Sequence, residues 1–174
     1  MIQHAVYGVP RRASGYTTDD NARALRLVTR LWSQQPDERM LGRVSRYLSF
    51  LEFAHCPSGA FHNFMSYQRQ WLDAEGTGDC QGQAVRSLAE VARSGLADDF
   101  RALARELIES LLPTLADLRS IRAQAYVILA WGRLRTAGAK DVEALETWPG
   151  SRPSGWWNAI TATGDPTGTG SNRA

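Results

Sequence analysis

Two kinds of helical segment alternate along this chain, and the alternation restricts it to layered helical packing. Residues 19–33 carry one apolar row at Ala22, Leu25, Val28 and Trp32 and a second at Ala24, Leu27 and Leu31. Two rows predict a helix buried on more than one side. Residues 38–54 place Leu41, Val44, Leu48 and Leu51 on a single stripe, with Arg39, Arg43, Arg46 and Glu52 elsewhere. One stripe predicts a helix with a face in water. The pattern then repeats. Residues 80–93 are alanine-rich and modest in charge, and 98–112 return to one stripe, Phe100, Leu103, Leu107 and Leu111. Residues 120–136 are apolar nearly all round in their middle.

The breaks between these segments are marked at Gln34 to Pro36, Gly95 and Pro113, which fit helix ends or turns. The order is therefore inner, outer, inner, outer, inner, with one more short outer helix expected over 141–148. Such hairpins suggest a weak internal repeat of the α-solenoid or α-toroid kind. Strand signals are almost absent, so the fold class is all-α. With 174 residues, 43% of them hydrophobic, the chain suits one domain with a core. Residues 1–148 are assigned to that domain. The stretch 149–174, rich in Gly, Thr and Pro without periodicity, is expected to be disordered.

Several function classes lose ground on composition. The net charge is only +2, and the 19 arginines are spread along the chain with no basic stripe, so a nucleic-acid partner is not expected. No apolar run is long enough to span a bilayer, and the start of the chain lacks the features of a secretory signal. A cytoplasmic location is the default. The two cysteines, Cys56 and Cys80, have no CxxC or HxxxH spacing around them. Neither a metal site nor a cofactor is expected.

Two stretches carry the chemistry. In 15–25, "GYTTDDNARAL", two adjacent carboxylates, an amide and an arginine crowd the start of a helix. Thr17 followed by Asp20 satisfies the capping-box pattern, and acids in a first turn complement the helix dipole. Asp19 and Asp20 also stand four and three residues before Arg23, a favourable helical pair. The third helix opens on the same theme, "GTGDCQGQAVRSL". If both are inner helices, Asp19 or Asp20 converges with Asp79, and convergent carboxylates are what glycoside cleavage requires. Between them lies the long aromatic segment 56–78, with Phe61, His62, Asn63, Tyr67, Arg69 and Trp71. Flat rings beside amide, imidazole and guanidinium groups suit a sugar. The same rings also suit a satellite cluster that pins a long loop, and His62 suits a brace.

Taken together, "IQHAVYGVP", "GYTTDDNARAL", "YLSFLEFA", "GAFHNFMSYQRQWL", "GTGDCQGQAVRSL" and "LRSIRAQAYVILAW" resemble a bacterial six-hairpin, (α/α)6 glycosidase-like domain. That domain is commonly fused to, or encoded beside, retaining glycosyltransferases. The likeness spans about residues 1–136 and covers about half of a ring. It implies a toroid, a carbohydrate setting, an oligosaccharide or glycan ligand and a glycosyltransferase partner. Asp19, Asp20 and Asp79 are then the candidate acids. Tyr16, Asn21, Arg23, Phe61, His62, Asn63, Tyr67, Arg69 and Trp71 are the candidate sugar contacts. Where relatives read acid–serine–histidine–glycine, this chain has Asp79-Cys80-Gln81-Gly82, without the hydroxyl and imidazole. A later acidic and aromatic block of the family is missing, and the end of the chain looks truncated or out of frame. A non-catalytic glycan-binding or scaffolding module, or an inactive remnant, are the alternatives.

Overall fold

The computed structural model describes residues 2–135, and within them the chain is mainly α-helical. The helix expected over 141–148 and the tail from 149 lie outside the described residues. Five helices follow one another: α1 Thr18–Gln34, α2 Glu38–Ala54, α3 Gly78–Ala92, α4 Asp98–Leu115 and α5 Ile121–Arg135. Helix α3 touches α1, α4 and α5, while α1 also packs on α2. The first, third and fifth helices thus form one row, with α2 and α4 behind it.

The row is parallel. Asp79, at the start of α3, accepts from Ser120 just before α5, and Gln81 and Thr18 both bond the segment 61–63. Toward the other end, Glu90 of α3 is bonded by Arg30 of α1 and Arg133 of α5.

Burial follows position in the row. Helix α3, between two neighbours, buries twelve consecutive-turn positions that include Cys80, Ala84, Val85, Leu88 and Val91. Its small side chains allow this: a Cβ on Gly82 would come within 3.0 Å of the Ala123 carbonyl oxygen, so α5 packs against bare backbone there. Helices α1 and α5 have only one neighbour each in the row. The second apolar row of α1 is accordingly not buried, with Leu27 58% and Leu31 39% exposed. On α5, Ile121, Ile128 and Leu129 are exposed. Only α3, among the three, is buried all round.

Pro113 does not end α4, which runs on to Leu115. Proline removes one backbone donor and normally breaks a helix. Here Leu111, Leu112 and Leu115 are all buried in the core, and their packing carries the helix through its last turn. The expectation of almost no strand is also modified. Four two-residue strands are present: β1 Ala5–Val6, β2 Val9–Pro10, β3 Tyr16–Thr17 and β4 Phe64–Met65. They are too short for a period-2 pattern to register in sequence. β1 pairs with β2, and β3 pairs antiparallel with β4. Single bridges from Ile2 to Tyr16 and from Met65 to Trp71 widen the second pair into a small irregular sheet. That sheet closes one end of the helical row.

Candidate functional site

The lobe over residues 55–77 is tied down by side chains planted on rigid elements. Gln81, in the first turn of α3, is buried and meets the Phe61 backbone on both sides. Its Oε1 accepts the Phe61 amide hydrogen at 2.9 Å, and its Nε2 donates to the Phe61 carbonyl at 2.9 Å and the Gly76 carbonyl at 3.0 Å. Asp73 does the same from within the lobe, accepting from the Asn63 amide at 2.8 Å and the Phe64 amide at 3.1 Å. Neither Gln81 nor Asp73 stands out in sequence, because a buried amide and a loop carboxylate carry no periodic signal.

The start of α1 is capped from this lobe. The Asn63 backbone carbonyl accepts from Thr18 N–H at 2.9 Å, and its side-chain carbonyl accepts from Asp19 N–H at 3.2 Å. The Thr17 hydroxyl does not cap a first-turn amide; it donates instead to Asp20 Oδ2 at 2.7 Å. The reciprocal capping box read from "TTDD" is therefore not formed. Asn63 occupies the role that the Thr17 hydroxyl would have filled.

The three acids sit at one end of the row. Arg23 bridges Asp19, at 2.7 Å, and Asp20, at 3.1 Å, in the helical register anticipated from spacing. Asp79 is engaged on both oxygens, by the Ser120 hydroxyl at 2.7 Å and Arg122 Nη1 at 3.1 Å. The clearest sign that α1 and α3 begin side by side is the His62 carbonyl oxygen. It accepts from Thr18 Oγ1 at 2.5 Å and lies 3.9 Å from Cys80 Sγ. Asp19 and Asp79 are the chain neighbours of those two groups. Partial burial pushes the Asp19 carboxyl above its ordinary range; the Arg23 guanidinium opposes the shift and Asp20 adds to it.

The aromatic residues divide into buried and accessible members. Phe61 is wholly in the core, and burying such a side chain contributes roughly 2–3 kcal/mol. Asn21 is also buried, donating to the Thr17 carbonyl at 2.7 Å. Phe61, Asn21 and Asn63, all expected to line a sugar site, are spent on the interior and on the cap. Trp71 is partly buried between Phe50 and Phe53 of α2, with the His62 ring stacked on it at 4.8 Å. His62 Nδ1 lies 2.8 Å from the Asp73 carbonyl, which can only accept, so Nδ1 carries the hydrogen. Tyr16 and Tyr67 stack nearly parallel, 6.2 Å apart, and Arg12 stands over the Tyr67 ring. Tyr67 and Arg69 are exposed, with Arg69 in a turn at φ +65°. A cleft of about 280 Å³ beside Tyr67 is lined by Arg12, Ser14, Gly15, Ser66 and Leu72. None of the three acids lines it.

Cys80 is buried, and burial pushes its thiol well above the ordinary range, with Asp19 and Asp73 adding to the effect. A buried thiol held above its ordinary range is a poor nucleophile. No protein-family model matches the chain, and no curated protein matches it. Among the described residues no helix is long and apolar enough to cross a membrane.

Proposed function

We propose that this end of the helical row is a carbohydrate-binding rim, and that the row is a segment of an (α/α) toroid of the six-hairpin glycosidase-like kind. In that reading the domain serves glycan synthesis or breakdown alongside a glycosyltransferase. The observation that carries it is the His62 carbonyl, on which the starts of α1 and α3 converge, bringing Asp19 and Asp79 to one rim. A half-buried carboxyl with a raised pKa, as at Asp19, is suited to hold a proton for a leaving oxygen. Tyr16, Tyr67, His62 and Trp71 supply ring faces, and Arg23 and Arg69 supply donors to hydroxyls.

A second reading, a non-catalytic glycan-binding or scaffolding module, is favoured by a specific feature. Asp79 has both oxygens engaged by Ser120 and Arg122, and Asp20 has both engaged by Thr17 and Arg23. Carboxylates held this way stabilise helix starts and leave little freedom for proton transfer. Oligosaccharide binding and release of reducing ends, measured for the intact chain and for Asp19→Asn, Asp79→Asn and Tyr67→Ala, test both. Lost turnover with retained binding in Asp19→Asn supports the catalytic reading. Binding without turnover, abolished in Tyr67→Ala, supports the module. Absence of any glycan binding by the folded chain sinks both.

A further inference from the structure

Four arginines far apart in sequence, Arg26, Arg30, Arg86 and Arg133, stand on the neighbouring helices α1, α3 and α5. Glu90 is almost fully buried, and both its oxygens are engaged, by Arg30 Nε at 3.0 Å and Arg133 Nε at 3.1 Å. Arg26, one turn before Arg30, has its Nη1 buried without a hydrogen-bond partner. Arg86, one turn before Glu90, lies over the Tyr126 ring at 5.5 Å and pairs with no carboxylate among the described residues. Two guanidinium groups therefore hold the one carboxylate, and Arg26 stands within electrostatic range of Arg86, Arg30 and Glu90. Burial depresses the Arg26 guanidinium pKa, and the charges of Arg86 and Arg30 depress it further, with Glu90 opposing them. A buried donor without an acceptor costs about 1–3 kcal/mol, more when charged, and the other guanidinium donors of Arg26 and Arg86 have no hydrogen-bonded carboxylate among the described residues.

We propose that Arg26 and Arg86, flanked by Arg30 and Arg133, bind a phosphate-class oxyanion on the face of the three parallel helices. The chemistry fits a doubly charged tetrahedral anion. Guanidinium forks present paired N–H donors matched to phosphate oxygens, and partial burial strengthens each contact relative to water. Glu90 orients two of the arginines, and at Arg26 its charge offsets those of Arg86 and Arg30 only in part. The anion is either free phosphate or the phosphoryl group of a phosphorylated sugar. The site does not depend on the carbohydrate rim: its residues lie from the middle of α1 and α3 onward and near the end of α5, away from the helix starts, and loss of glycan binding leaves it standing.

Calorimetry and thermal melts of the intact chain test this with three probes at matched ionic strength: sodium phosphate, glucose 1-phosphate and sodium chloride. Phosphate is expected to bind in a one-to-one ratio and to raise the Tm above its value in chloride. Arg26→Gln and Arg86→Gln should each weaken that binding tenfold or more, while their Tm in chloride is unchanged or higher because a like-charge contact is relieved. Arg26→Lys, which keeps the charge and loses the fork, should show an intermediate loss and serves where the glutamine variant does not fold. Arg46→Gln, on the exposed face of α2, should bind as the unaltered chain does. Tighter binding of glucose 1-phosphate than of phosphate assigns the ligand as a phosphorylated sugar; equal binding assigns free phosphate. Equal melts in phosphate and chloride, or unaltered phosphate binding in both glutamine variants, overturn the proposal.

Discussion

Asn63 and Asp19 are joined across the junction of the lobe and α1: the Asn63 side-chain carbonyl accepts the Asp19 amide hydrogen at 3.2 Å. The cap of a helix that begins at residue 18 is thus supplied from 44 residues further along the chain. Replacing Asn63 with Ala removes that acceptor and leaves only the backbone carbonyl to Thr18. The expected loss is about 1 kcal/mol, toward 2 because the site is largely buried. Urea denaturation with an unchanged m-value measures it, and a stability equal to the parent's would return the capping role to Thr17.

Gln81 should matter more. Gln81→Leu keeps the volume and strips the partner from the Phe61 amide, which is buried against the core. Leaving that group unpaired costs about 1–3 kcal/mol. Hydrogen exchange at the Phe61 amide should accelerate, and the lobe over 55–77 should open before the helices do. Parent-like protection at Phe61 would mean that the strand bridges alone hold the lobe.

The raised pKa of Asp19 has a defined consequence for stability. The folded state holds the Asp19 proton at a pH where the unfolded chain has released it. Stability is therefore lost as pH rises through the carboxylate range. Asp19→Asn removes this titration, so the variant's Tm should fall less, or rise, across that range relative to the parent. Thermal melts at matched ionic strength read the difference. Parallel Tm profiles for the two proteins would show that Arg23 cancels the burial.

Gly82→Ala sets two effects against each other. Alanine gains about 1 kcal/mol of helix propensity over glycine. Its Cβ would meet the Ala123 carbonyl oxygen at 3.0 Å and Ala123 Cα at 3.1 Å, both backbone atoms that move only with α5. Overpacking of this kind costs about 1–3 kcal/mol, so the variant is expected to be less stable, with α5 losing exchange protection first. A gain in stability would show that α5 shifts freely.

Local sequence determined the helices and much of their order. The stripe of Val44, Leu48 and Leu51, the alanine-rich run from Cys80 to Ala92 and the ion pairs of Arg23 with Asp19 and Asp20 all depend on residues three or four apart, and spacing alone exposes them. Tertiary structure decided the rest. Whether an apolar row is buried depends on neighbours, so Leu27 and Leu31 are exposed at the edge of the row while Val85 and Leu88 are enclosed. Pro113 stays helical because leucines around it are packed, and propensity is weaker than that packing. Asn63 became a helix cap and Phe61 a core residue because the lobe folds back on α1 and α3 through pairings 10 to 44 residues apart. Arg30 of α1 and Arg133 of α5 meet on Glu90 of α3 for the same reason: separations of 60 and 43 residues, which no periodicity records, are closed only when the three helices lie parallel.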